Sequence, residues 1–91
     1  MEMPLYKCHK EVHALKIAAI AFDSDTARAE NRETDGSAIL TPAEPEYAPF
    51  RVPYSYMRKH DPHVGGYFVV YKDGYQSFSP AAAFEDGYSR A

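Results

Sequence analysis

Ninety-one residues with a formal charge of −3 make one small domain, able to bury roughly 60–65% of its unfolded surface around a single core. The acidic balance argues against non-specific nucleic-acid binding, which needs a basic footprint. The sequence has no apolar run of membrane-spanning length, and its start lacks the basic-then-apolar layout of a signal peptide. A lone cysteine, Cys8, makes no internal disulfide, which suits a reducing compartment, so the cytoplasm is the expected location. Met1 to Pro4 is expected to fray. From Tyr6 to Phe22 the apolar residues fit two periods. Val12, Leu15, Ala19 and Phe22 form a helical stripe, while Val12, Ala14, Ala18 and Ile20 alternate as a strand does.

Asp23 to Gly36 is polar and aperiodic. It reads as an acidic mobile loop or hairpin tip, with a short helix near Ala27 to Arg32. Between Asp23 and Ala48 seven acids stand against two arginines, so this stretch carries −5 and the remainder +2. Ser37 to Thr41 is a short strand that Pro42 ends, because proline has no N–H for a ladder. Pro42, Pro45, Pro49 and Pro53 then set an extended path, within which Phe50 to Val52 is an edge-strand candidate. Tyr54 to His60 has room for two helical turns, with Tyr56 and Met57 inward and Arg58 and Lys59 in water. Gly65-Gly66 releases the chain into its clearest segment.

That segment is a hairpin. Tyr67 to Lys72 is aromatic and β-branched, and Asp73-Gly74 suits a two-residue type I′ turn. Such a turn pairs Lys72 with Tyr75 and Val70 with Ser77. Phe68, Val70, Tyr75 and Ser77 then share one face, and Tyr67, Val69, Tyr71 and Phe78 the other. Both faces are apolar, so the hairpin is expected inside a sheet or barrel. Ser79-Pro80 reads as a helix N-cap and first helical position. Ala81 to Asp86 is a short helix, with Gly87 at a left-handed C-cap, and Phe84 and Tyr88 tie it to the hairpin.

The block from Val64 to Tyr88, VGGYFVVYKDGYQSFSPAAAFEDGY, resembles a family of short phage and prophage proteins of unassigned function. Those proteins share a first strand similar to Lys10–Ile17. More distantly, the block is similar to phage proteins named for a Pro-Gly-Asp-Tyr-Gly motif, of which only Gly65 and Tyr67 are retained here. The resemblance covers about half the chain. It implies that Glu11 to Ile20 is a strand and that the chain is a phage accessory product acting in the host cytoplasm, and it offers no catalytic residues. Gln76 to Tyr88 is also similar in layout to small phage sponges that sequester nucleotide immune signals.

Four constellations could carry chemistry. Cys8, His9, His13, His60 and His63 are metal-ligand types, but on a strand His9 and His13 stand ~13 Å apart. No serine or cysteine has a visible base and orienter, which argues against an enzyme. A ligand pocket would combine Lys10, His13 and Lys16 with Tyr67, Tyr71 and Tyr75, because aromatic faces stack bases and lysine neutralises phosphate. In the type I′ register Tyr75 faces away from Tyr67 and Tyr71. Finally, the acidic loop could offer a protein-binding surface. The resulting expectation is an α+β domain, a small twisted and mostly antiparallel sheet of about four strands with two short helices. It is expected to be homo-oligomeric, without cofactor, metal, nucleic-acid or membrane partner. The expected role is sequestration of a nucleotide-type signal, with direct inhibition of a host defence protein as the alternative.

Overall fold

The computed structural model describes residues 3–7 and 11–90. Its elements run β1 (Leu5–Lys7), β2 (Glu11–Phe22), α1 (Asp23–Ala29), β3 (Ala38–Pro42), β4 (Phe50–Val52), α2 (Tyr54–His60), β5 (Tyr67–Val70), β6 (Gln76–Ser79), α3 (Ala81–Gly87) and β7 (Ser89–Arg90). All strand pairings are antiparallel. With three short helices this is the expected α+β class. Seven strands and three helices among the described residues exceed the expected count of about four strands and two helices, β1, β7 and α1 being among the additions. Pro4 and Met3 are held rather than frayed: the Pro4 carbonyl accepts from Ala14 N–H at 3.0 Å, and Met3 packs on the core.

β2 is a strand throughout, as the phage resemblance implied. Its twelve residues span about 40 Å at 3.3 Å per residue, nearly the 46 Å long axis of the molecule. Over residues 12–17 both of its faces contribute buried side chains, so its burial follows neither simple period. Val12 and Ala14 join Tyr67, Val69 and Phe84 in a cluster beneath α3. Ile17 joins Ala38, Leu40, Val52, Tyr56 and Phe68 in a second cluster beneath α2. Strands buried on both sides lose the clean alternation of a half-exposed sheet.

The backbone of β2 serves three partners. Residues 11–13 pair with β1, residues 13–16 with β5 and residues 17–22 with β3. Ala14 N–H bonds to Pro4 and Lys16 C=O accepts from Ala43, so β1 and β3 follow one another along one edge. Ile17 turns both its groups to the other edge, where they meet Gly65 and Gly66 at 2.8 Å. Between Ile17 and Ala19 the register against β3 shifts, a bulge at Ala18. Ile20 packs on the same cluster as Ile17, three residues earlier, and a bulge supplies the change of parity that this needs.

The hairpin forms, but one residue out of the expected register. Tyr67 faces Ser79, Phe68 faces Phe78, Val69 faces Ser77 and Val70 faces Gln76. Gly74 N–H bonds to Tyr71 C=O and Tyr71 N–H to Tyr75 C=O, which makes Lys72-Asp73-Gly74 a three-residue loop. A type I′ turn needs φ > 0 at both central positions. Gly74 has φ +88, but Asp73 is not among the residues of positive φ. Its carboxylate instead accepts Tyr75 N–H at 3.0 Å. The slip moves Phe78 onto the face of Phe68, where it packs on the α2-side cluster. It also sets Tyr75 across from Tyr71. β5 is interior, between β2 and β6, while β6 has β5 as its one strand neighbour.

Two cap expectations are corrected. Ser79 is a rung of β6 opposite Tyr67, so α3 starts after Pro80 and has no side-chain N-cap. Gly87 lies inside α3 without a positive φ, and the chain leaves through an extended Tyr88. The aromatic tie holds: Phe84 stacks on Tyr67 at 4.2 Å and on Tyr88 at 4.7 Å. α2 spans the expected residues, with Tyr56 buried and its hydroxyl donating to Ser77 C=O at 2.7 Å. β4 is the expected edge strand.

Gly66 sits where β5, β2 and the Phe78 ring converge. A Cβ there would overlap that ring and stand 3.0 Å from the Ser79 carbonyl. Gly66→Ala is therefore expected to cost about 1–3 kcal/mol in urea unfolding, the usual penalty of overpacking. Gly87→Ala, which meets nothing within 4 Å, should be neutral or stabilising by up to about 1 kcal/mol. Equal losses for both variants would contradict the packing described.

Candidate functional site

The hairpin tip is where exposed and half-buried aromatic and basic side chains gather. Tyr71 and Tyr75 stack with ring centroids 6.0 Å apart. His60, at the end of α2, meets the other side of Tyr75 edge-on at 5.9 Å, with Nε2 3.5 Å from its hydroxyl. Lys59 Nζ stands 5.0 Å from the centre of the same ring, a cation–π contact worth about 0.5–1 kcal/mol at an exposed place. Burial, then the charge of Lys59, pushes the His60 imidazole below its ordinary value. The band thus takes its positive charge from lysine rather than histidine near neutral pH.

Two shallow grooves flank this band. One, of about 470 Å³, lies between the start of β2 and the tip, and His13, Val70, Tyr71 and Gly74 line it. The other, of about 330 Å³, runs between α2 and β6, along Tyr56, Lys59, His60 and Tyr75. His60 and Lys59 were not singled out for this site by the sequence. They lie fifteen or more positions from Tyr75, and only the docking of α2 on β6 brings them together.

Of the six residues expected to share a pocket, the five that are described do not gather in one place. His13 and Tyr71 share the first groove and Tyr75 stacks at its end. Lys16 and Tyr67, paired with each other in the β2–β5 ladder, lie three rungs away beneath α3. There the Tyr67 hydroxyl donates to Glu85 at 2.8 Å and Lys16 bonds the same oxygen at 3.3 Å. The Tyr67 hydroxyl first, then Lys16, hold the Glu85 carboxyl below its ordinary value. The Tyr67 ring is buried against Phe84, so it is part of the core. Lys10 lies outside the described residues, as do Cys8 and His9 of the metal constellation. Among the described residues no three metal-ligand side chains cluster.

The acidic segment is built differently from a free loop. Its helix, α1, starts at Asp23, four residues before the expected position. Arg32 clamps Asp23 with two bonds of 2.9 and 3.2 Å, and Thr34 adds a third at 2.8 Å. Arg32 also reaches Glu30 at 2.7 Å. Asp35 accepts from the backbone and hydroxyl of Ser37, which in turn accepts from Arg51. Asn31, at φ +54, makes the reversal that returns Arg32 to the helix start. Of the five acids from Asp23 to Gly36, Asp23, Glu30 and Asp35 are held by local donors, so the segment is tied down although its acids outnumber Arg28 and Arg32.

No family model matches the chain, and no curated protein does either. Among solved structures it is similar to the monomeric form of the phage L decoration protein, determined by NMR in solution. The two share 30% sequence identity and superpose with a TM-score of 0.66 over 97% of this chain. The match spans 59% of the other protein, so this chain corresponds to about three-fifths of it. The likeness is to a phage structural protein, consistent with the phage resemblance of the C-terminal block. The two families named from that block find no match of their own.

Arg32 first, then Thr34, hold the Asp23 carboxyl well below the usual carboxylate range. A carboxylate with a depressed folded value stabilises above its unfolded value, 3.8, and loses that contribution as pH falls below it. Asp23→Asn should therefore flatten the fall of stability below about pH 3.8 while lowering stability at neutral pH. Amide exchange at Gly36 and Ser37 should speed up in the same variant. Wild-type acid dependence in the variant would show that this clamp does not hold the segment.

Proposed function

We propose that the chain is a virion decoration module, a small non-enzymatic phage protein that binds the surface of a phage particle. The observation that carries this reading is the likeness to the phage L decoration protein, 30% identical and covering nearly the whole of this chain. The contact surface is the hairpin tip, where exposed Tyr75 and Lys59 and half-buried Tyr71 and His60 form an aromatic and basic band. Tyrosine and cation–aromatic pairs are enriched where protein interfaces concentrate their energy. The grooves beside the band are shallow, which suits a broad protein surface better than an enclosed small ligand.

The narrower reading, sequestration of a nucleotide-type signal, needs Lys10, His13, Lys16, Tyr67, Tyr71 and Tyr75 to converge. Lys16 is already bonded to Glu85, and Tyr67 is in the core. Inhibition of a host defence protein has no distinguishing feature in the described residues, Asp23, Glu30 and Asp35 of the 23–36 segment being engaged within the chain itself.

Gradient co-sedimentation tests the proposal, with particles of the phage that encodes the chain and prepared without it. The chain should move with the particles. Tyr75→Ala should weaken this at least about fivefold, as expected for loss of an aromatic anchor worth over 1 kcal/mol. A chain left at the top of the gradient would overturn the reading.

A further inference from the structure

Beyond Ile17, β2 has one open edge. Asp23 N–H bonds to Ser37 C=O, just before β3, so by alternation Ala19 and Ala21 also turn their backbone groups to β3. Ile20 N–H and C=O, and Phe22 N–H, point the other way. Among the described residues no strand lies on that side past the Gly65 and Gly66 contacts, and no hydrogen bond to these groups is found. Natural sheets protect such edges with charges, prolines or a covering element. Ile17 to Phe22 carries no charge and no proline, and its bulge at Ala18 stands at one end of the open stretch. Phe22 is 45% exposed at one end of the edge. At the other, Val64 is 61% exposed, next to the Gly65 that bonds Ile17.

We propose that residues 18–22 pair antiparallel with the same segment of a second copy, about a two-fold axis at Ile20. The edge is self-complementary in three respects. Ile20 of each copy supplies one donor and one acceptor to the other. Ala18 C=O also points outward, because Ala19 N–H of the same peptide turns to β3, and it meets Phe22 N–H of the other copy, so all four outward groups are satisfied. The same operation carries Phe22 of one copy to the Ala18 end of its partner, where Val64 lies, so two exposed apolar side chains are covered together. Pairing ends at Ala18 and Phe22, because Ile17's outward groups are already held by Gly65 and Gly66. An uncharged strand that satisfies itself across a dyad selects its own copy, whereas nothing on it selects a charged or specifically shaped foreign strand. This inference goes beyond the particle-binding reading and does not rest on it.

Phe22→Pro is the discriminating variant. Phe22 has φ −78, which proline adopts without strain, and its N–H is not used in the fold. The change removes two of the four hydrogen bonds across the dyad together with both phenylalanine rings. Sedimentation velocity over a wide concentration range should show a wild-type dimer, and a dissociation constant raised at least about tenfold in Phe22→Pro. Ala19→Lys/Ala21→Lys, which sets lysines opposite one another across the dyad, should be monomeric. Circular dichroism should show all three proteins equally folded. A wild type that stays monomeric, or a dimer that both variants leave intact, would overturn the proposal. So would a monomer that loses particle binding on Phe22→Pro, since that outcome gives the edge to the capsid.

Discussion

The sheet depends on how β2 divides its hydrogen-bonding groups between two edges. A strand has one row of donors and acceptors on each side, and buried rows must be filled. β2 is too long for any single neighbour here, so its rows are filled in pieces: β1 and then β3 on one side, β5 for half the length on the other. The bulge at Ala18 lies where the β5 side runs out and the β3 side takes over. It resets side-chain parity, so that Ile17 and Ile20 reach one core although an odd number of residues apart. The helices follow from this. α2 and α3 cover the two faces that β2 and β5 create, and each is anchored by an aromatic residue, Tyr56 and Phe84.

Most elements were legible in the sequence because their signals are local. Pro53 and Asp61-Pro62 bracket α2, Pro42 closes β3, and Gly65-Gly66 opens β5. β2 was legible only with help from a family resemblance, since a strand that buries side chains on both faces offers no clean period. The hairpin register was missed by one residue for a reason of energy rather than pattern. Asp-Gly fits either a two-residue turn, with both residues at positive φ, or a three-residue loop with Gly74 alone in that region. The bond from Tyr75 N–H to the Asp73 carboxylate favours the second, and an aspartate is spared the cost of positive φ. Ser79 looked like a cap for a related reason. Its hydroxyl could have served α3, but the ladder with Tyr67 already used its backbone.

The candidate site was legible in part. Tyr71, Tyr75 and His13 do lie at one end of the molecule, where the sequence placed an aromatic and basic surface. His60 and Lys59 were invisible there, because α2 reaches the tip through long-range contacts, the bond from Tyr56 to Ser77 among them, and the packing around them. The register error mattered here too. It set Tyr75 on the wrong side of the hairpin and hid its stack on Tyr71. The acidic segment misled in the opposite sense. Its charge was counted correctly, but a count cannot reveal that Asn31 reverses the chain and returns Arg32 to Asp23.

The two surfaces left open lie at opposite ends of β2. The tip packs near His13, which pairs with Val70, while the free edge covers residues 18–22, about 16–30 Å further along at 3.3 Å per residue. Pairing at the edge therefore leaves both tips uncovered and directed away from the dyad. An assembly of this kind presents two copies of one binding surface at a fixed separation. On a particle whose surface repeats, a second contact forms at an effective concentration set by that geometry rather than by the free protein. Weak attachment through one shallow, tyrosine-rich tip then becomes durable without a deep pocket. Such a use accords with a fold that spends its buried aromatics, Tyr56, Tyr67, Phe68 and Phe84, on holding two short helices to one long strand.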